Sequence, residues 1–476
     1  MTSQDGGPAT KTSGTTMRRL KQSPLRSDAP VLRVVASPDA DQLGAVYRLD
    51  GESSYVFGRS RDAKHRVRDP RLSRLHAQIA PASGGRYEVE DLESTNGTFV
   101  DGLRVGGRMS LDGQIVSMGD TLFVVDRPPH RDLMPSAPDA DASSIRTIYG
   151  LSLATRALRA SVATVAPKPA TVLLLGPTGV GKEVTARAVH EASGRSGRFV
   201  AVNCAAVPDA LAESEFFGYY RGAFSGAERD QEGFFQSSSG GTLFLDELGE
   251  LPPSLQAKLL RVIETQEVQP LGPGPAVPVD LRIVAATNAD LTSDQNGQGF
   301  RTDLLARLSQ WEIHIPPLAQ RKADILELWR IFLEDHTEGR SAPPATAEFC
   351  EALLLHDWPQ NARELRNFAH RIDGVVGDAA EFQLKDLPRI YQEPLLPRFD
   401  ESSVESAPEP PPTNPPASPR DSGQTPGGRA PPREVIESAL AAARGNIKLA
   451  AERNGWHRTQ LYRYMRRYDI DPSKYR

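Results

Sequence analysis

The segment Thr171-Val-Leu-Leu-Leu-Gly-Pro-Thr-Gly-Val-Gly-Lys-Glu183 constrains the fold of this 476-residue chain more than any other. An unbroken apolar run that passes into a glycine-rich loop and then a helix reads as a strand entering a parallel sheet. Two further apolar strands, in Gly241-Thr-Leu-Phe-Leu-Asp-Glu247 and Leu281-Arg-Ile-Val-Ala-Ala-Thr-Asn288, continue the α/β alternation. The loop has the composition of a phosphate cradle. Its glycines let backbone amides close on oxygens, the helix N-terminus adds partial positive charge, and Lys182 brings a point charge to the β and γ positions. Gly176, Pro177, Thr178, Gly179, Val180, Gly181, Lys182 and Glu183 are therefore candidate ATP contacts. Glu183 stands where the generic motif has Ser or Thr, so Mg2+ must rely on Asp246 and waters. Glu247, next to Asp246 at the strand end, is placed to orient or deprotonate an attacking water; without that neighbour it would read as a solvated acid.

Prolines divide the chain. Residues 127–141 hold four of them and no apolar period, and residues 394–432 hold twelve among Ser, Glu and Gly, a composition that cannot bury a core. With a tail at 1–30 expected to be disordered, the blocks are 31–126, 145–393 and 433–476, separated by linkers at 127–144 and 394–432. The first alternates short β-rich segments with Gly and Asp turns, as a small all-β sandwich does. The second is the α/β block, purely helical from Asp324 onward, which gives an α lid. The third is three short helices.

The net charge of −5 argues against a protein coated in nucleic acid throughout, yet residues 433–476 carry ten Lys/Arg against five Asp/Glu. DNA contact is expected there. Cys204 and Cys350 are too few and too far apart for a disulfide framework, and no apolar stretch is long enough to span a bilayer. A soluble, cytoplasmic protein is expected.

The second block carries a specific resemblance. Gly222-Ala-Phe-Ser-Gly-Ala227, with the segments already quoted, resembles the AAA+ domain of sigma-54-dependent activators, the bacterial enhancer-binding proteins, over roughly residues 145–380. The resemblance implies that Gly222, Ala223, Phe224, Ser225, Gly226 and Ala227 touch sigma-54 when ATP is bound; Ser225 stands where the family has Thr. It implies that Asn203 couples Glu247 to the nucleotide state and that Asn288 senses the γ-phosphate. Arg301 and Arg307 match its arginine fingers, which reach a neighbouring subunit's nucleotide, and Arg363, in Trp-Pro-Gln-Asn-Ala-Arg, matches its second sensor. Gln360 replaces the usual Gly. The implied assembly is a homo-oligomeric ring, a hexamer.

In the β block, Gly58-Arg59, Ser73-Arg-Leu-His76 and Ser94-Thr-Asn-Gly-Thr98 resemble the forkhead-associated (FHA) domain. Arg59, Ser73 and Arg74 would hold a phosphate, and Thr95 and Asn96 would meet the peptide around a phosphothreonine. Gly58 and His76 read as architectural, His76 as a buried imidazole. The implied partner is a phosphothreonine protein or a Ser/Thr kinase.

The last block is similar to the Fis-type helix-turn-helix, with Arg458, Thr459, Gln460, Tyr462 and Arg463 on the recognition helix and Leu461 in the core. Together these imply an activator that binds enhancer DNA and hydrolyses ATP to remodel sigma-54 RNA polymerase. An AAA+ remodeller outside transcription, or a phosphothreonine adaptor with an inert ATPase, remains the alternative.

Overall fold

A computed structural model of the chain describes residues 29–83, 86–111, 115–128, 145–288, 291, 300–337, 343–376 and 381–395. In the C-terminal part it describes 433–443 and residues 450, 453, 454, 461, 465 and 470. The chain divides into two compact units, with the break after Val404.

The first unit opens with two facing sheets. One runs, in spatial order, Val46–Arg48, Val31–Ala36, Thr121–Asp126, Ile115–Met118, Thr98–Val100 and Leu103–Arg104. The other runs His65–Arg66, Tyr55–Gly58, Ala77–Pro81, Tyr87–Asp91 and Arg108–Ser110. Alternation sorts the side chains: Tyr87 and Val89 are buried while Glu88 and Glu90 reach outward. Phe57 and Phe123 meet edge-on across the core, their centroids 5.4 Å apart.

Two strands of the sandwich, Ile115–Met118 and Thr121–Asp126, are buried along their whole length, because both of their faces are covered. Val116, Phe123 and Val125 join the sandwich core. Ile115, Leu122 and Val124 join Trp329, Phe349, Leu353 and Leu354 in a second cluster. The sandwich and the helical lid therefore share a hydrophobic core. A linker at residues 127–144 leaves open whether the blocks on either side touch. The apolar run Leu122-Phe-Val-Val125 was the sign of the docking, since a strand with one face in water would alternate.

The α/β block is a parallel sheet ordered Phe199–Asn203, Thr242–Asp246, Arg282–Thr287, Val172–Leu175 and Trp311–His314. Helices Leu153–Val165 and Lys182–Ala192 supply a core with Val172, Leu174, Phe244, Val284 and Ile313. Helices Asp209–Phe217, Pro253–Thr265 and Thr302–Leu308 supply another with Leu173, Leu243, Leu245 and Ile283. After the sheet come the lid helices Ile325–His336, Ala347–Leu355 and Asn361–Val376, packed on Phe349, Trp358, Phe368 and Phe382.

Of the second unit, helix Arg433–Ala442 is described, and Ile436, Leu440, Ala443, Ala450, Leu461, Met465 and Ile470 form one buried cluster. Leu461 thus lies in a core, as expected from the sequence. Arg458, Thr459, Gln460, Tyr462 and Arg463 fall outside the described residues. Among the described residues no helix is long and apolar enough to cross a membrane.

Candidate functional site

Parallel strands deliver their C-terminal ends to one edge of the sheet, and the candidate ATP residues gather there. The loop after Val172–Leu175 turns through Gly179 and Gly181, whose φ angles of 78° and 105° lie in the left-handed region that glycine tolerates. Lys182 starts the next helix and donates to the Gly176 oxygen at 2.9 Å and to that of Pro177 at 3.3 Å. Burial lowers its pKa, against the pull of the Asp246 and Glu247 carboxylates, while Arg363 pushes it further down.

Asp246 ends its strand beside the loop. Burial raises its pKa, and the carboxylates of Glu247 and Glu183 add to the rise; the Glu247 N–H, donating at 3.0 Å, and Lys182 oppose it. Glu247 leaves the strand at φ 53°, in the left-handed region that non-glycine residues rarely adopt. Asn203 stands opposite Asp246 in the parallel register, and its Oδ1 accepts the Ala205 N–H at 2.9 Å. Asn288 donates from Nδ2 to the Thr178 hydroxyl at 3.2 Å, joining the end of a third strand to the loop. Arg363 reaches the loop from the lid: a Cβ on Gly179 would lie 3.0 Å from that of Arg363. Glu183 turns to Arg187, one helical turn on, at 3.2 Å.

Arg301 and Arg307 are not part of this gathering. Arg301 caps the N-terminus of Thr302–Leu308 instead of lying within it, and its guanidinium pairs with Asp303 at 2.7 Å. Arg307 pairs with Glu264 at 3.3 Å, and both arginines are exposed. Gly222-Ala-Phe-Ser-Gly-Ala227 forms a tight turn closed by the Gly222 N–H on the Ala227 oxygen at 2.9 Å. Phe224 is 48% exposed at its tip, its ring edge-on to Tyr219.

The sandwich brings its own candidates together at one end. The Thr95 N–H donates to Ser73 Oγ at 3.0 Å, and the Arg59 N–H donates to the Ser73 carbonyl at 3.0 Å. Arg74 closes the same face, its carbonyl accepting the Ser60 N–H at 3.2 Å. Gly58 is required here, because a Cβ would meet that carbonyl at 2.2 Å. His76 is wholly buried; Nδ1 accepts the Ser73 N–H at 3.1 Å, which leaves Nε2 to donate to the Gly97 carbonyl at 3.2 Å. Burial lowers its pKa, which keeps it neutral and architectural. Asn96 donates to the Arg71 carbonyl at 2.6 Å.

Several residues of the two sites lie outside the motifs or have no assigned part in them. Arg71 pairs with Asp120 at 2.8 Å and, across the domain boundary, with Glu348 of the lid at 3.4 Å. Asp91 fixes the loop ahead of Thr95 by accepting from Ser94 and Thr98. Asn361 and Arg321 hold the phosphate loop from the lid side. Asn361 lay inside a motif already quoted; an Asn at a helix start is a residue that tolerates left-handed backbone.

Comparison with known families accounts for all three blocks. The FHA domain family matches residues 55–121, the sigma-54 interaction domain 148–314, the AAA+ ATPase lid domain 319–400, and the Fis family of bacterial regulatory proteins 433–468. In the order of these domains the chain is similar to sigma-54-dependent transcriptional activators. The chain is 37% identical over 327 residues to the acetoin dehydrogenase operon transcriptional activator AcoR of Bacillus subtilis (strain 168), a match covering 68% of this chain and 51% of AcoR. It is 43% identical over 235 residues to the sigma54-dependent transcriptional activator SfnR of Pseudomonas putida, covering 49% of this chain and 64% of SfnR. The chain spans about half the length of the curated relatives it matches. Among solved structures, NtrX from Brucella abortus in complex with ATP is 29% identical, covers 68% of this chain and 71% of its own, and gives a TM-score of 0.47.

Proposed function

We propose that this chain binds enhancer DNA through its Fis-type end and hydrolyses ATP to remodel sigma-54 RNA polymerase for promoter opening. Phosphothreonine recognition by the FHA domain would control it. The observation that carries this reading is the gathering of Lys182, Asp246, Glu247, Asn288 and Arg363 about one glycine-rich loop, with Asn203 opposite Asp246 in the sheet register. The donor set fits ATP with Mg2+: a lysine, open amides at a helix start, and a half-buried carboxylate. Asp246 would hold the cation with waters, and the cation would supply neutralising charge on the phosphates.

Glu247 would orient the water and take its proton as oxygen attacks the γ-phosphorus. The bond from the γ-phosphorus to the β-bridging oxygen breaks, leaving ADP and inorganic phosphate. Arg301 and Arg307 would serve a neighbouring subunit's nucleotide, which makes a ring, a hexamer, a condition of turnover. Their exposed pairs with Asp303 and Glu264 are the kind that water screens, so exchanging them for a phosphate costs little. Phe224 and Ser225 at the exposed turn would meet sigma-54. The shared core of sandwich and lid supplies a route from a phosphothreonine protein, or a Ser/Thr kinase, to the ATPase. The work belongs in the cytoplasm, where promoter and polymerase are.

The test is open-complex formation by the purified chain at a sigma-54 promoter, with and without ATP. Opening that needs ATP supports the reading. Normal hydrolysis without opening favours a remodeller of other targets, and no hydrolysis favours a phosphothreonine adaptor.

A further inference from the structure

We infer that Asn361 and Arg321 are positioning residues that aim the phosphate-loop amides from the lid side. The inference rests on the ATP site proposed above and adds two residues that grip the back of the loop.

Asn361 is 2% exposed and sits at φ 57°, the first residue of its helix. Its Oδ1 accepts the Leu318 N–H at 2.7 Å, which fixes the orientation of the side-chain amide. The other end, Nδ2, donates to the Thr178 carbonyl at 3.0 Å. Arg321 is 5% exposed and donates from Nη2 to the Val180 carbonyl at 2.7 Å. Burial lowers its pKa while Asp324 beside it supports the charge. Asp324 is itself held by the Ser152 N–H at 2.6 Å and by the hydroxyls of Ser152 and Thr155 at 2.8 and 2.6 Å.

Peptide planarity turns these two grips into an effect on the cradle. In a trans peptide the carbonyl and the following N–H point in opposite directions. Holding the Thr178 carbonyl toward the lid sends the Gly179 N–H the other way, and holding the Val180 carbonyl does the same for the Gly181 N–H. These amides then need no reorganisation on meeting a phosphate, which is what preorganised donors contribute. Lys182 meanwhile straps the Gly176 and Pro177 carbonyls from its own side of the loop. The fit against the lid is close: a Cβ on Gly179 would meet the Gln360 carbonyl at 2.2 Å, so the turn carrying Asn361 rests directly on the loop. Two buried side chains, from different turns, thus act on alternate peptides of one loop.

The experiment uses the full chain and measures equilibrium affinity for ADP and for a non-hydrolysed ATP analogue, with steady-state kinetics beside it. Asn361→Gly keeps the left-handed backbone and removes both side-chain bonds. It should weaken both nucleotides about tenfold and raise KM by a similar factor, with kcat changed less than about threefold. Arg321→Lys keeps the charge but not the reach to Val180, and should weaken both nucleotides in the same direction; it carries the test if the glycine variant does not fold. A lowered melting temperature with wild-type nucleotide affinity in a folded variant overturns the inference, because a purely structural role predicts that outcome. Failure of the wild-type chain to bind either nucleotide would instead overturn the ATP site itself.

Discussion

Replacing Leu122 by alanine should cost about 3 kcal/mol and loosen the sandwich from the lid. Leu122 lies on the sandwich strand Thr121–Asp126 but is wholly buried in the cluster that contains Trp329, Phe349 and Leu354 of the lid. The substitution removes three carbons at about 0.8 kcal/mol each, and the cavity left in a close-packed contact adds to the transfer cost. A loss of that size lowers the docking equilibrium about a hundredfold. If the same face met water, truncation there would cost no more than Val46→Ala, a strand position 42% exposed, where about 0.5 kcal/mol is the ceiling. The assay is urea unfolding of the full chain with amide-exchange protection followed over residues 349–354. The wild type should unfold sandwich and lid in one transition, and Leu122→Ala should lower protection in that lid helix. Two separate wild-type transitions, or equal costs for Leu122→Ala and Val46→Ala, would refute the shared core.

Three other outcomes follow from single sites. Glu247→Gln should cut ATP hydrolysis by about 10²–10⁴-fold while nucleotide affinity, measured by titration, stays within about threefold. Arg59→Ala should weaken a phosphothreonine peptide by about tenfold or more, read by calorimetry, and comparison of ATPase rates with and without the peptide gives the sign of control. Asp126 carries the pH dependence. Burial in the joint raises its pKa from 3.8 to about 6, against the Leu153 N–H and Arg33. A folded-state pKa above the unfolded one means that this carboxyl subtracts stability as pH rises through 4 to 6, by at most about 3 kcal/mol, and the loss is complete above pH 6. Arg33→Met with Asp126→Asn removes both charges and keeps an oxygen for Leu153; its urea midpoint should fall less than the wild type's between pH 4.5 and 8, and identical pH slopes would reject the assignment.

The local parts of the site were legible because each is a short motif whose chemistry demands its residue types. The loop from Gly176 to Lys182, the strand-end pair Asp246 and Glu247, and the turn around Phe224 are contiguous stretches. What sequence could not give was contact between distant stretches. Asn361 and Thr178 lie 183 residues apart, and nothing in either stretch names the other. Arg71 belongs to none of the motifs in the sequence, and only the fold sets Glu348 beside it. Period-two patterning finds a strand and its inner face, but a second buried face shows only as lost alternation, as in residues 122–125.

The relative strengths of the two joints across the lid bear on how phosphopeptide binding could act. Arg71 links them: its carbonyl accepts from Asn96, at the candidate phosphopeptide face, and its guanidinium pairs with Glu348 on the lid. That guanidinium is about half exposed, so breaking the pair is worth no more than about 1 kcal/mol, a few-fold change in an equilibrium. The apolar contact beside it contains Ile115, Leu122 and Val124, all essentially buried, and each such side chain contributes about 1.5–3 kcal/mol. A ligand that draws on Asn96 and Arg71 therefore lacks the energy to detach the sandwich. It has enough to shift the setting of a docked sandwich on the lid, at the lower end of typical couplings between sites, which run from about 1 to 3 kcal/mol. Since Asn361 and Arg321 tie the lid to the Thr178 and Val180 carbonyls, a small shift of the lid would be felt at the amides proposed to hold the nucleotide. Control by graded tuning of nucleotide affinity, with the FHA domain remaining in place, is what these magnitudes favour over release of a tethered cap.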